Sequence, residues 1–197
     1  MKKVKDLKVY KGMLIVVDMV NGFVKEGVLH DENIADIIPR QIELIREAKT
    51  KGDLIVFIKD THDDESVEFM RFGNTKHCVR GSSESELVDE LKVYENDEDT
   101  VSIEKNSTSF MESIDFRNLL FLNPLIKSID VVGCCTDICV LNGVMGLSNY
   151  MNQHNLDVDI RVHTDAVATY NEEERKNYVD AAFLLMKQQG VQLVKKK

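Results

Sequence analysis

Three of the four cysteines in this chain lie within six residues, in the segment VVGCCTDICV between Val131 and Val140. A structural zinc site usually combines two Cys- or His-containing pairs, and no second pair accompanies Cys134, Cys135 and Cys139. The spacing also lacks the C-x-x-C of the standard redox motif. A third interpretation is a single cysteine nucleophile. Since cysteine is more commonly a small buried apolar residue, that interpretation depends on finding partner residues.

The position of Cys139 suits a nucleophile. The turn GCCTD leads from an apolar run into a helical pattern, with Thr136 or Asp137 as the predicted N-cap. Cys139 then falls in or near the first helical turn, where the positive end of the helix favours a thiolate.

Two charged residues at strand ends are candidate partners for this thiol. Asp18 closes the apolar run MLIVVD, and Lys105 closes TVSIEK. Asp18 is alternatively a cap or turn residue, and Lys105 a solvated lysine. If adjacent strand ends bring them to Cys139, Lys105 would hold both the carboxylate and the thiolate in charged form.

A second set of candidate ligands lies after the next apolar run. The segment KDTH supplies Asp60 and His62, and His77 follows in KHCV. Two histidines and one carboxylate with open positions suit a catalytic divalent metal. Glu65 and Glu68 are candidates for a further oxygen ligand. The alternative is an acidic, solvated loop without a metal.

The elements that would position these residues alternate along the chain. Short β-branched runs predict six strands, and helical patterns separate them. The predicted strands are Met13–Asp18, Leu54–Asp60, Thr100–Lys105, Ile129–Gly133, Val158–Asp165 and Val191–Val194. The predicted helices are Pro39–Lys51, Ser83–Leu91, Phe116–Leu122, Thr136–Gln153 and Glu172–Gln189, with an irregular segment over Thr61–Ser82.

This alternation predicts right-handed βαβ units and a fold of the α/β class. We expect residues 1–197 to form a single-domain, doubly wound, three-layer α/β/α sandwich with a mostly parallel six-stranded sheet. Such sheets bind ligands at the carboxyl ends of their strands, where Asp18, Asp60, Lys105 and the cysteine segment lie.

Composition excludes several other classes of protein. The formal charge of −9 argues against nucleic-acid binding. No apolar run approaches the roughly 20 residues that span a bilayer. The start of the chain is basic and then apolar, but Asp18 interrupts the apolar run and no small-residue cleavage site follows. A buried strand, a cytoplasmic location and reduced cysteines are therefore predicted.

Together these segments resemble the isochorismatase-like cysteine hydrolases, and within them the nicotinamidase-type amidases. The motifs that carry the resemblance are LIVVDMVNGF, KDTH with HCV, EKNSTSF and VVGCCTDICV, in the order of the family and over nearly the whole chain.

The resemblance implies a role for each matched residue. Asp18 would be the base, Lys105 the cation and Cys139 the nucleophile of a catalytic triad. A cis peptide bond would fall between Cys134 and Cys135, with the N–H groups of Cys135 and Cys139 forming an oxyanion hole. The implied metal ligands are Asp60, His62, His77 and Glu68.

The implied reaction is hydrolysis of nicotinamide or a similar small amide to the acid and ammonia through a thioester on Cys139. The implied cofactor is a divalent metal, with zinc first and manganese or iron as alternatives. Phe23 would form one wall for a flat ring. Asn74 stands where nicotinamidases place an aromatic residue, which leaves the substrate open. A homo-oligomer is common in the family.

Two alternatives remain at this point. One is a hydrolase of the same family that acts on another small amide or on an isochorismate-like ether. The other is a non-catalytic binding protein on the same scaffold. Members that cleave ethers typically lack the nucleophilic cysteine and the metal histidines. The presence of these residues in this sequence favours amide chemistry.

Overall fold

One sheet of six parallel strands forms the centre of the molecule, in the order β3-β2-β1-β4-β5-β6. The computed structural model describes residues 8–196, so both predicted outer limits of the domain, residues 1 and 197, lie outside it. The strands are β1 (Gly12–Val17), β2 (Leu54–Asp60), β3 (Thr100–Lys105), β4 (Ser128–Cys134), β5 (Asp159–Ala168) and β6 (Gln192–Val194).

The strand order places a topological switch point in the middle of the sheet. From β1 the chain builds outward through β2 to β3, and then returns to the other side of β1 to continue through β4, β5 and β6. The order therefore reverses between β1 and β4, and ligands bind outside the carboxyl ends of the strands at such points. The predicted α/β class and doubly wound topology are confirmed, and the sheet is parallel throughout.

Helices cover both faces of the sheet. They are α1 (Asn21–Val24), α2 (Ile38–Lys51), α3 (Val67–Arg71), α4 (Asp89–Lys92), α5 (Ile114–Leu122), α6 (Leu141–Gln153) and α7 (Glu172–Gln188). Pro39 lies in the first turn of α2, and Gly52 ends that helix in the left-handed conformation. No helix within residues 8–196 is long and apolar enough to cross a membrane.

Alternate side chains of β1 enter two separate cores, which produces the three layers. Ile15 packs into a core that also contains Phe116 of α5 and Val144 of α6. Val16 packs into a second core with Leu44 and Ile45 of α2. All six residues of β1 are buried. A strand covered on both faces has this continuous apolar pattern, which is why the alternation typical of a half-exposed strand is missing.

The single helix predicted over Ser83–Leu91 is wrong. A 3₁₀ turn at Ser83–Ser85 is separated from α4 by extended residues. Leu87 forms an antiparallel bridge with Val20, and the N–H of Val88 donates to the carbonyl of Met19 at 3.1 Å. Pairing with the segment after β1 therefore overrides the helical pattern here.

Two other boundaries differ from the prediction near the site. The segment predicted as irregular contains α3, whose N-cap Ser66 accepts a hydrogen bond from the N–H of Glu68 at 3.3 Å. Strand β5 continues three residues past its predicted end at Asp165. Because β5 pairs with β4 again after a register shift, its end reaches the level of Cys134.

Gly133 allows β4 to approach β1 at the end of the sheet. Its φ is 118°, and a Cβ atom there would lie 2.1 Å from the carbonyl oxygen of Val17. We expect Gly133→Ala to lower the free energy of unfolding by at least about 3 kcal/mol, since backbone atoms of β1 cannot move aside. Urea unfolding measures this loss.

Gly52→Ala is the matched control, because Gly52 also has a positive φ (74°), but a Cβ atom there would have no heavy atom within 4 Å. That substitution should cost only the left-handed conformation, about 1–2 kcal/mol. Equal losses in the two variants would refute the steric explanation.

Candidate active site

The carboxyl ends of four adjacent strands meet at the switch point. Asp18 follows β1, Asp60 ends β2, Lys105 ends β3, and Cys134 ends β4 and leads to Cys139. All of these side chains are buried. The structure therefore brings the predicted base, cation, nucleophile and first metal ligand into one cluster.

Lys105 is the centre of this cluster. Its Nζ lies 2.8 Å from Asp18 Oδ2 and 2.5 Å from Asp60 Oδ1. The same ammonium lies 3.6 Å from Cys139 Sγ. Burial lowers the pKa of Lys105, but the two carboxylates outweigh burial and hold the pKa well above its usual value. The side chain is therefore a fixed positive charge between two anions.

Asp18 has the properties of a base that works near neutral pH. Burial raises the pKa of its carboxyl group to about 6, with Lys105 opposing the increase and Asp60 adding to it. The Lys105 ammonium lies 2.8 Å from Oδ2, and contacts with Lys105 and with the Cys139 thiol favour the charged carboxylate. A carboxylate in this position can accept the thiol proton.

The surroundings of Cys139 favour the neutral thiol over the thiolate expected beside Lys105. Burial raises the pKa of Cys139 well above its usual value, and Lys105 offsets only part of this increase. The reason is that Lys105 already neutralises two closer carboxylates, while Asp18 and Asp60 both disfavour a further negative charge.

The turn that carries Cys139 is held by side-chain contacts of Asp137, and not by the predicted N-cap. Thr136–Val140 form a π-helical turn before α6, with Cys135 at the cap position and no side-chain cap bond. Asp137 instead accepts hydrogen bonds from Thr169 Oγ1 at 2.7 Å and from Arg175 Nε at 2.9 Å. These contacts tie the turn to the end of β5 and to α7.

The backbone around Cys134 and Cys135 lies beside Asp18. The peptide bond between Cys134 and Cys135 is cis, and the Cys134 thiol donates a hydrogen bond to the Asp18 carbonyl at 3.1 Å. Cys139 lies in the π-helical turn after Cys135, whose carbonyl accepts hydrogen bonds from the N–H groups of Ile138 and Val140. Cys135 and Cys139 both line the cavity described below.

Asp60, His62 and His77 form a buried group whose ligand atoms all lie within 4.8 Å of one another. Asp60 Oδ2 lies 2.8 Å from His62 Nε2 and 3.4 Å from His77 Nε2. Burial raises the pKa of Asp60, but Lys105 and the histidines outweigh it and hold the pKa well below its usual range. One carboxylate and two imidazoles converging in this way fit a catalytic divalent metal.

The other nitrogens of both imidazoles are already engaged. His62 Nδ1 lies 2.7 Å from Asn106 Oδ1, and His77 Nδ1 lies 2.9 Å from the carbonyl oxygen of Thr75. Both acceptors favour a proton on Nδ1, the arrangement in which Nε2 would bind a metal. Of the two candidate glutamates, Glu68 lies 3.9 Å from His62 Nε2, while Glu65 is exposed and away from the cavity.

A cavity of about 290 Å³ opens beside Cys139 and the candidate metal-ligand group. Asp60, His77, Glu68, Cys135 and Cys139 line its floor. Apolar and aromatic side chains form most of the walls: Phe23, Leu29, Phe72, Ile138 and Tyr170. The volume and the apolar walls suit one small, flat molecule.

Asn74, predicted as a substrate contact, is exposed and does not line this cavity. Gly73 and Asn74 both adopt positive φ (72° and 59°), which turns the chain away after α3. Phe72 occupies the wall instead. The aromatic ring of Phe72 was the available signal for a wall residue. The sequence separation from His77 alone favours Asn74.

Tyr170 and Asn106 are site residues that the sequence analysis missed. Tyr170 follows β5, and the Arg175 guanidinium lies 4.6 Å from its ring centroid. The apolar pattern predicts that β5 ends at Asp165, so Tyr170 does not fall at a predicted strand end. Asn106 directly follows Lys105 in the motif EKNSTSF, so its position was the signal for it.

Comparison with known proteins agrees with this geometry. The isochorismatase domain profile matches residues 12–196. Nicotinamidase 1 of Arabidopsis thaliana is 32% identical over 175 residues, which cover 80% of this chain and 69% of that protein.

Two solved structures have the same fold. The zinc complex of a pyrazinamidase from Pyrococcus horikoshii superposes with a TM-score of 0.77 at 28% identity, covering 94% of this chain and 99% of that chain. A nicotinamidase from Bacillus subtilis superposes with a TM-score of 0.78 at 27% identity, covering 93% and 99%.

Proposed function

The chain belongs to the isochorismatase domain family, and from this premise we propose that it is a metal-dependent cysteine amidohydrolase of nicotinamidase type. The substrate is nicotinamide or a similar small aromatic carboxamide, and the products are the acid and ammonia. In this proposal residues 1–197 form one hydrolase domain, and Asp18, Lys105 and Cys139 form its catalytic triad.

One observation carries the proposal. Cys139 lines the same cavity as Asp60 and His77 of the metal-ligand group, and Lys105 lies 3.6 Å from the thiol and 2.5 Å from the Asp60 carboxylate. A binding protein does not need an acid–base residue, a cation and a nucleophile in one buried cluster. The presence of the metal-ligand residues argues against the alternative of a family member that cleaves an isochorismate-like ether.

In the first half of the reaction, Asp18 takes the proton of the Cys139 thiol as the sulfur attacks the amide carbonyl carbon. Because the resting thiol is neutral and the pKa of Asp18 is about 6, this proton transfer accompanies the attack. Lys105 keeps its proton throughout and stabilises the carboxylate before the transfer. The bond that forms is S–C, and the carbonyl π electrons move to oxygen.

The amides of Cys135 and Cys139 accommodate the resulting oxyanion. When the tetrahedral intermediate collapses, the C–N bond breaks and Asp18 returns its proton to the leaving nitrogen, which departs as ammonia. Water then attacks the thioester carbonyl and gives a proton to Asp18. The C–S bond breaks, and the thiol regains its proton as the acid leaves.

Asp60, His62 and His77 would hold a divalent metal at the cavity floor, with Glu68 adjacent to the group. When bound, the ion supplies a Lewis acid that orients the substrate, either directly or through a water molecule. Zinc suits a ligand set of one carboxylate and two imidazoles, and it is present in the complex of the Pyrococcus relative. Zinc is therefore the metal we propose for this chain.

The walls of the cavity support a planar aromatic amide as substrate. Phe23 is buried, with its ring centroid 5.9 Å from that of His77, and Phe72 and Tyr170 supply two further aromatic surfaces. Aromatic faces at such positions stack on or meet the edge of a flat ring.

An ammonia-release assay over nicotinamide and a panel of small amides tests the proposal. We expect release from nicotinamide that falls at least about 100-fold after chelation and returns when zinc, manganese or iron is added. Circular dichroism of the chelated protein establishes that it remains folded. No release from any amide by the metal-loaded protein would refute the activity, and chelator-resistant release would refute the metal dependence.

A further inference from the structure

Asn106 connects the metal-ligand group to the helix that carries Glu68. Its Oδ1 lies 2.7 Å from His62 Nδ1 and accepts a hydrogen bond from Ser66 Oγ at 3.0 Å. His62 is fully buried and Ser66 is 8% exposed. Asn106 itself is exposed, but its carboxamide oxygen is directed toward these two buried groups.

The direction of this hydrogen-bond chain follows from the chemistry of its members. The N–H of Glu68 donates to Ser66 Oγ, so the Ser66 hydroxyl proton is available to Asn106. A carbonyl oxygen only accepts, so Asn106 Oδ1 requires His62 Nδ1 to be the donor. With Nδ1 engaged in this way, Nε2 faces Asp60 Oδ2 at 2.8 Å, and a bound metal would take the place of the proton between these two atoms.

We propose that Asn106 is a positioning residue of the metal site. It holds His62 in the tautomer that leaves Nε2 free for the metal, and through Ser66 it fixes the start of α3 and the position of Glu68. This inference rests on the metal-binding part of the proposed function.

The two histidines differ in how they are held. Thr75 holds His77 through a backbone carbonyl, which no side-chain substitution removes. His62 depends on a side chain, so its orientation can be tested by substituting one residue. Asn106 follows Lys105 directly, so one strand end holds the catalytic cation and orients a metal ligand.

The test is zinc affinity, measured for the full chain by competition with a chromophoric chelator. Asn106→Ala is expected to raise the zinc Kd about tenfold. This is the lower end of the usual effect of removing a residue that hydrogen-bonds a metal ligand, because water reaches this exposed position and can replace the lost acceptor. Asn106→Asp keeps an acceptor and is expected to stay within about threefold of wild type. Asn123→Ala, which removes a half-buried asparagine bonded to the Leu119 carbonyl, should leave the Kd unchanged.

A second measurement separates orientation from general loosening of the fold. In the zinc-loaded protein, the Nδ1 proton of His62 should give a slowly exchanging imidazole NMR signal that Asn106→Ala broadens and Asn106→Asp retains. The His77 signal should persist in both variants. If Asn106→Ala does not fold, Asn106→Leu provides a side chain of similar size without an acceptor.

The outcomes distinguish this inference from the function on which it rests. If the wild type binds zinc and Asn106→Ala binds it equally well with the His62 signal intact, the positioning role is refuted and the metal site stands. If the wild type does not bind zinc, both the metal assignment and the role of Asn106 are refuted.

Discussion

Replacing Cys139 with alanine is expected to lower kcat/KM for ammonia release by at least about 10,000-fold, because the proposed thioester forms on its sulfur. Cys139 is the cysteine that Lys105 approaches, at 3.6 Å from Sγ, and it lies on the cavity floor. Steady-state ammonia release measures the loss. Intact-mass spectrometry of acid-quenched enzyme should show an acyl adduct on the wild type and none on the variant.

Cys78→Ala is the matched control for this prediction. Cys78 is also fully buried, and burial likewise raises the pKa of its thiol, but it packs in the core and does not line the cavity. Its removal should leave turnover per folded molecule nearly unchanged. Comparable turnover by Cys139→Ala and Cys78→Ala, or an adduct on a thiol other than Cys139, would contradict the assignment.

The charge state of Cys139 was not predictable from sequence. The position of the thiol at a helix start favours a thiolate, and a nearby lysine favours it further. The decisive fact is that Lys105 also lies 2.8 Å from Asp18 and 2.5 Å from Asp60. One cation shared between two carboxylates offsets only part of the cost of a third anion, and this sharing appears only in three dimensions.

The positions of Asp18, Asp60 and Lys105 at one edge of the sheet were predictable, because each closes a short apolar run. In a parallel sheet, runs of this kind end at the same edge. Asp18 illustrates the argument, since a carboxylate after five apolar residues is costly to bury without a partner. That partner, Lys105, is located 87 residues later in the chain.

The walls of the cavity were less predictable because they depend on local turns. Phe72 faces the cavity and Asn74 does not, since Gly73 and Asn74 reverse the chain with positive φ. Tyr170 reaches the site because β5 continues to Ala168 after a register shift against β4. Neither the reversal nor the shift has a clear signature in the pattern of apolar residues.

The sharing of Lys105 also couples the two halves of the site. Asp60 contacts the ammonium through Oδ1 and faces the histidines through Oδ2. The negative charge that would bind a metal therefore also raises the pKa of Asp18. The proposed base and the candidate metal ligands thus form one electrostatic unit, in which a change at Asp60 alters the proton affinity of Asp18.

Asp18→Asn should reduce kcat/KM by about 1,000- to 10,000-fold, because the amide has nearly the same shape as the carboxylate but cannot accept the thiol proton. Kinetics at saturating metal, with thermal unfolding to confirm folding, measure this loss. The matched control is Asp53→Asn: burial also raises the pKa of Asp53, but its side chain lines a different cavity. That variant should retain wild-type kinetics.

The pH profile provides the sharper test of Asp18. Since its pKa is raised to about 6, the carboxylate is charged and able to accept a proton above that pH and is increasingly protonated below it. Wild-type kcat/KM should therefore fall about tenfold per pH unit below pH 6. This pH is well above the usual pKa range of an aspartate. Asp18→Asn should lose this acid limb, whereas Asp53→Asn should keep it. A limb that persists in Asp18→Asn would assign the titration to another group and remove Asp18 as the base.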